Sequence, residues 1–461
     1  MTTQLSENRT DPLRIVLISP RGPLYRHRGG TWSKSLRYAP LTLTTLAALV
    51  PPELNVEITL VDEGIHDIDL DINADLVGIS LITGTAPRSY ELAAHFRSRG
   101  IPVVLGGVHV TLLPAEAQQH ADAIVVGYAE DTWPQLLHDF VAGRMQPRYD
   151  QARGLSLANR PFPKRELLGS NNFVVAHTIE ATRGCIHQCD FCVVPSAWGR
   201  PLQHPVADVI ADIQQMGAKR LIFLDLNLIS DMDYARDLFT ALIPLKIQWG
   251  GLTTTIITMD DDLLDLAARS GCKGLLLGFE TLSSSALAET KKQFNARQDY
   301  KDVMRRLHAH GIGVQGCFVF GFDNHTQDVF AETVDFVMDA NIDLPRYAIL
   351  TPFPGTPLFD RLKRDGRILS EDWTLYDGQH VVYQPKGMAA DELLRGAEWA
   401  WKKTYSYPSI AKRLLAARPW SGRKMLPLAL AGNLGYRFYA HNLHKYYTCD
   451  WQIGMVESVP A

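Results

Sequence analysis

Three cysteines, Cys185, Cys189 and Cys192, fall within eight positions of a 461-residue chain that has six in all. Their Cx3Cx2C spacing lets three thiolates wrap one face of a cube-shaped iron–sulfur cluster and leaves one iron without a protein ligand. An iron left open in this way accepts a small chelating molecule. A structural zinc site asks for four closed ligands. His187 is the nearest candidate for a fourth, but it lies inside the loop itself and no fourth cysteine stands nearby. Cys272 and Cys317 sit in a helix end and an apolar strand and read as small packed hydrophobes. Clustered thiols in a cysteine-poor chain imply metal or redox chemistry in a reducing compartment.

A second set of candidates is small and polar: Ser80-Leu-Ile-Thr-Gly-Thr-Ala86, Gly106-Gly-Val-His109 and Gly127-Tyr-Ala-Glu130. Paired glycines let a flat or phosphorylated ligand approach the backbone. No GxGxxG follows the first apolar run, which disfavours a nicotinamide or flavin dinucleotide.

Both sets lie at the ends of readable strands. Residues 13–142 alternate β-branched runs (14–19, 56–61, 76–81, 102–105, 123–126) with helical stretches (41–50, 89–99, and from Asp131). This predicts a five-stranded, doubly wound, flavodoxin-like sheet with its ligand beyond the carboxyl ends of the strands. Residues 143–172, rich in Pro, Gly and Arg, read as a linker. Residues 173–356 repeat strand and helix six times (strands at 177–182, 221–226, 250–255, 275–280, 314–321 and 347–350), which predicts a partial β/α barrel with chemistry at its carboxyl-end face. Residues 357–461 read as helical. Between Arg395 and Lys445 ten Lys and Arg face one acid, Glu398, with aromatics interleaved. That stretch is read first as a solvated face, then as a peripheral membrane contact. Pro408, Pro419 and Pro427 argue against one long helix there.

With 46% hydrophobic and 21% charged residues and a net charge of −4, the chain is neither disordered nor fibrous, and its surface as a whole is not built for nucleic acid. The first residues, Met1 to Asp11, have no apolar core, and no run approaches the ~20 residues of a membrane span. A cytoplasmic protein is expected.

The phrase Gly106-Gly-Val-His-Val-Thr-Leu-Leu-Pro114, followed by Val125-Val-Gly-Tyr-Ala-Glu130, resembles the cobalamin-binding domain in front of many radical S-adenosylmethionine enzymes. The stretch Thr182-Arg-Gly-Cys185-Ile-His-Gln-Cys189-Asp-Phe-Cys192, with Phe191 before the last cysteine, resembles the signature of that superfamily. The resemblance implies a [4Fe-4S] cluster on Cys185, Cys189 and Cys192. It implies S-adenosylmethionine near Phe191, Asp225, Asn227, Glu280 and Phe322, and base-off cobalamin against Ser80, Leu81, Thr83, Gly106, Gly107, Val108, His109, Gly127, Tyr128 and Glu130. His27 lies in the loop that carries a cobalt-binding histidine in methionine-synthase-like domains, but in a context that does not match. The implied activity is methyl transfer to an unactivated carbon through a 5′-deoxyadenosyl radical and methylcobalamin. A small-molecule substrate, hopanoid-like or otherwise isoprenoid, and an electron donor such as flavodoxin or ferredoxin are expected. Cyclisation or rearrangement without methyl transfer, as in tetrapyrrole metabolism, and a non-catalytic cobalamin sensor are the alternatives.

Overall fold

The computed structural model describes residues 11–22, 35–152, 154–169, 173–296 and 298–446. His27 and Cys449 lie outside the described residues.

The first sheet has six parallel strands: β1 (Leu13–Ser19), β2 (Val56–Asp62), β3 (Leu76–Ser80), β4 (Val103–Gly106), β5 (Ala123–Val126) and β6 (Arg148–Asp150). Their spatial order is β2-β1-β3-β4-β5-β6. The order reverses between β1 and β3, which opens a crevice at the carboxyl ends. The central strands are nearly continuous Val, Ile and Leu, because helices cover both faces. Val16, Ile18, Val77 and Ile79 pack with Leu92 and Phe96 on one side. Ile15, Leu17 and Leu76 pack with Leu43, Trp133 and Leu137 on the other. The sequence predicts five strands; the sixth, β6, comes from the stretch read as a linker. It is a three-residue edge strand, too short to show a period, and the Gln151 N–H extends its pairing to the Val126 carbonyl at 2.9 Å.

The second sheet is also parallel: β7 (Thr178–Ile179), β8 (Arg220–Phe223), β9 (Gln248–Thr253), β10 (Cys272–Glu280), β11 (Gly313–Phe320) and β12 (Arg346–Ile349). Its strands follow one another in chain order, β7 to β12, as in an open β/α barrel. Along β10, β11 and β12 buried and half-open positions alternate. The buried face meets the helices Asp261–Arg269, Tyr300–Ala309 and Val329–Asp339, and the half-open face lines the barrel interior.

The C-terminal region departs from expectation: Tyr407–Tyr446 is one continuous helix of 40 residues. Pro408 lies in its first turn, where the missing N–H would be free anyway. Pro419 and Pro427 fall inside the helix, each without an N–H to donate. Trp401, Tyr405, Tyr436 and Tyr439 interlock at 4.8–6.4 Å between ring centres. Part of the basic stretch is internal. Arg413 is buried, donating to the Thr404 carbonyl (2.8 Å) and to Asn433 (2.7 Å). Arg437 donates to the Tyr405 carbonyl at 2.9 Å and covers the Tyr407 ring. Among the described residues no helix is long and apolar enough to cross a membrane.

Candidate cofactor sites between the two sheets

The cysteine loop begins at Gly184, which takes φ +79° and lies against Pro201. It ends at Cys192, the N-cap of the helix Val193–Trp198. Asp190 anchors its middle: its N–H donates to the Thr290 carbonyl (3.3 Å), its carbonyl accepts from the Leu358 N–H (3.1 Å), and its carboxylate pairs with Arg361 (3.0 Å). His187 is stacked on Phe294 at 4.0 Å and is not turned into a shared ligand set. All three thiols are half-buried, and burial pushes Cys189 up to about 12 and Cys192 upward. Among the described residues no three of His, Cys, Asp or Glu converge on one ion. Three thiols on one short loop can each bind a separate iron of a cluster.

Around the loop stand the ends of the second sheet. Asp225, just past β8, is buried and turned to the backbone, accepting from the Ala181 N–H (3.2 Å) and from Thr182. Desolvation and the nearby Glu180 raise it to about 7. Asn227 puts its amide nitrogen 3.8 Å from the Cys185 sulfur. Glu280, at the end of β10, takes φ +64° at a bulge and is bonded to Lys292, which is 7% exposed. Gly278 makes room for this pair, because a Cβ there would meet both charged atoms within 2.8 Å. Lys292 carries a raised pKa against its burial, held up by Glu280 first and then by Cys189 and Cys192. Phe191 and Phe322 meet edge to face at 6.2 Å.

The first sheet supplies a cavity of about 320 Å³ at its carboxyl ends. Of the residues expected there, Ser80, Gly106, Gly107, Gly127, Tyr128 and Glu130 line it; Leu81, Thr83, Val108 and His109 do not. Gly107 takes φ +107°, and a Cβ would lie 2.5 Å from the Leu81 carbonyl oxygen, so Leu81 backs this turn from behind. His109 is fully buried on the far side, between the Thr83 hydroxyl (3.3 Å) and the Glu116 carboxylate (3.2 Å). Glu116 also accepts from Tyr90 (2.9 Å) and from the indole of Trp373 (3.1 Å), which joins this domain to the C-terminal region.

The opposite wall belongs to the second sheet: Glu180, Thr182, Arg183, Trp198 and Leu226. The sequence reading missed these, as it missed Lys292. Arg183 was visible only as a neighbour of Cys185, and nothing in a linear chain pairs it with Glu130. The cysteine loop and the glycine turns therefore face one gap.

Two family profiles match the chain: the radical SAM superfamily over residues 179–337 and the B12 binding domain over residues 41–137. The chain is 30% identical to bacteriochlorophyllide d C-12(1)-methyltransferase of Chlorobaculum tepidum, over 81% of this chain and 84% of that protein. It is 27% identical to hopanoid C-2 methylase of Rhodopseudomonas palustris, over 78% and 72%. Its fold is similar to that of the radical S-adenosylmethionine methyltransferase TsrM from Kitasatospora setae, solved with cobalamin and a [4Fe-4S] cluster, with TM-score 0.62, 16% identity, and 83% of this chain and 81% of that one covered.

Proposed function

The chain belongs to the cobalamin-dependent radical S-adenosylmethionine methyltransferases, and from that premise we propose that it methylates an unactivated carbon of a large, apolar ring system, with a tetrapyrrole macrocycle favoured over a polycyclic isoprenoid. Its cofactors are a [4Fe-4S] cluster, S-adenosylmethionine and cobalamin. When bound, the first two supply a 5′-deoxyadenosyl radical and the third supplies the methyl group.

The residues divide this work. Cys185, Cys189 and Cys192 would hold the cluster, with the Asn227 amide against the first sulfur. Glu280 offers carboxylate oxygens to a ribose diol, and the edge of Phe191 against Phe322 suits a flat base. Asp225 holds the Ala181 and Thr182 amides, and so sets where the cysteine loop starts rather than touching the methionyl group. Ser80, Gly106, Gly107, Gly127, Tyr128 and Glu130 form the cobalamin wall. Leu81, Thr83 and His109 support that wall from behind. A reduced flavodoxin or ferredoxin would deliver the electron. A peripheral membrane contact would have to use cations of the tail other than Arg413 and Arg437, which are engaged inside the fold.

One observation carries the substrate class. On the loops at the carboxyl ends of the second sheet, Ile186 (53% exposed), Leu226, Met259 (64%) and Leu282 stand in the open, and Ile82 does so on the facing domain. A catalytic mouth edged with aliphatic side chains suits an apolar ring, since each Å² covered contributes about 25 cal/mol. A small polar substrate would leave that surface wet.

The test is anaerobic incubation of the reconstituted protein with methyl-labelled S-adenosylmethionine and, in separate arms, a bacteriochlorophyllide-type macrocycle and a hopanoid. The expected outcome is label in the macrocycle, with deoxyadenosine and S-adenosylhomocysteine formed together. Deoxyadenosine with a new ring and no label would replace methyl transfer by cyclisation. No turnover in either arm would remove the apolar-ring substrate class.

A further inference from the structure

We propose that the turn Tyr128–Glu130 of the first domain is a joint that grips both ends of the cysteine loop, so that cobalamin in the cavity and the cluster on the loop stabilise one another. The upstream grip is electrostatic. The Glu130 carboxylate bonds the guanidinium of Arg183, two residues before Cys185, and both side chains are nearly buried. The same guanidinium bonds Glu180 and lies 4.8 Å over the ring of Tyr128. The downstream grip is a stack. Tyr128 lies flat on Trp198 at 4.5 Å and 11°, and Trp198 is the last residue of the helix whose N-cap is Cys192. A three-residue turn thus touches the chain just before the first cysteine and the helix that starts at the last.

The turn is itself fixed. Gly127 takes φ +86°, and a Cβ there would strike the Gln151 side chain at 2.7 Å. The Gln151 side-chain carbonyl accepts the Tyr128 N–H at 2.7 Å, tying the turn to the residue that follows β6. Movement at this point is therefore passed to the cysteine loop rather than absorbed.

The joint also borders the cavity. Tyr128, Glu130, Thr182, Arg183 and Trp198 all line it. One of its buried polar atoms, Glu130 Oε2, has no hydrogen-bond partner among the described residues. Glu130 is 4% exposed, so bulk water does not serve this oxygen well. A buried polar group left unpaired is destabilising until a ligand pairs it. The rim of cobalamin carries primary amides, which donate to a carboxylate oxygen. An amide bonded to Oε2 would hold the carboxylate whose other oxygen bonds Arg183, and so link cobalamin to the cysteine loop. Coupling of this kind is reciprocal: whatever factor the cluster adds to cobalamin affinity, cobalamin adds to cluster affinity.

This inference rests on the assignment of the cavity to cobalamin, and the experiment separates the two. Full-length protein, reconstituted anaerobically with iron and sulfide, is exposed to an iron chelator with and without saturating hydroxocobalamin, and cluster loss is followed by absorbance. Cobalamin affinity is measured in parallel on cluster-loaded and cluster-free protein. The expected result is at least fivefold slower iron loss with cobalamin bound, and at least fivefold tighter cobalamin binding with the cluster present. In Glu130→Gln and Tyr128→Leu, at cobalamin concentrations that restore occupancy, both effects are expected to shrink towards one. Cobalamin uptake by the wild-type protein with unchanged iron loss and unchanged affinity overturns the joint alone. Undiminished effects in both variants overturn it as well. No uptake at all overturns the cavity assignment and the joint together.

Discussion

At the carboxyl ends of β3, β4 and β5 the chain presents glycines and bare backbone over an apolar cavity; at the ends of β7 to β10 it presents thiols, a carboxylate and a buried ammonium. The central strands of the first sheet are buried on both faces, so they have no free side to offer and only their ends are functional. The second alternates buried with half-open positions and so has an interior to furnish. A site made of backbone selects by shape and tolerates no added atoms. A site made of ligands and charges selects by donor type, and its members depend on one another.

The comparison breaks most sharply at the thiols. Cys189→Ala is expected to abolish the cluster, read as loss of iron, sulfide and the visible charge-transfer band, because a three-thiolate set has no spare ligand. Cobalamin uptake is expected to persist in that variant, weakened only by the coupling factor. A full iron complement would refute the ligand assignment.

Next in size is Lys292→Met, which leaves Glu280 without its partner beside the thiols. Breaking a buried pair costs about 3–5 kcal/mol, read as a lowered denaturant midpoint, and S-adenosylmethionine binding is expected to weaken at least tenfold by titration calorimetry. Adding Glu280→Gln to Lys292→Met is expected to return much of the stability but not the binding. If the single variant is as stable as the wild type, Glu280 and Lys292 are not the coupled pair described above.

Gly107→Ala tests the backbone site. Its Cβ would lie 2.5 Å from the Leu81 oxygen, in a region of φ that costs a non-glycine residue about 1–3 kcal/mol. Cobalamin affinity is expected to fall more than tenfold while the cluster still assembles, and unchanged affinity would count against this wall.

The smallest effect concerns pH. Asp225 is raised to about 7 by desolvation and by Glu180, against about 3.9 in an unfolded chain. The folded state holds its proton more tightly, so the contribution of Asp225 to stability is complete below about pH 4 and is lost as pH rises towards about 7. On cofactor-free protein, the Tm of Asp225→Asn relative to the wild type is expected to rise by a few degrees between pH 5 and pH 8. A flat or falling difference would mean that the carboxylate is not destabilised where it sits.

The same contrast explains what could be read from the chain. Thiol spacing, glycine pairs and β-branched runs are local signals, and they located Cys185, Gly107 and both sheets. Lys292 lies between two short helices and acquires its role only when residues 291–296 fold over the end of β10, where the Asn295 amide holds the Gly278 carbonyl at 2.8 Å. His109 sits in a phrase that points to the cavity, yet it follows Gly107, whose backbone geometry carries the chain round so that the ring meets Glu116 instead. Pro419 and Pro427 are helix breakers by local propensity, yet the helix runs through both, since propensity is a weak guide that tertiary context overrides.

The aliphatic rim of the mouth has a colloidal consequence. Ile186, Leu226, Met259 and Leu282 each leave apolar surface open to water on the loops at the carboxyl ends of the second sheet. Two molecules meeting at these loops would shield that surface from water, so preparations without a bound apolar ligand are expected to be polydisperse in light scattering. A mild non-ionic detergent is expected to restore a single species.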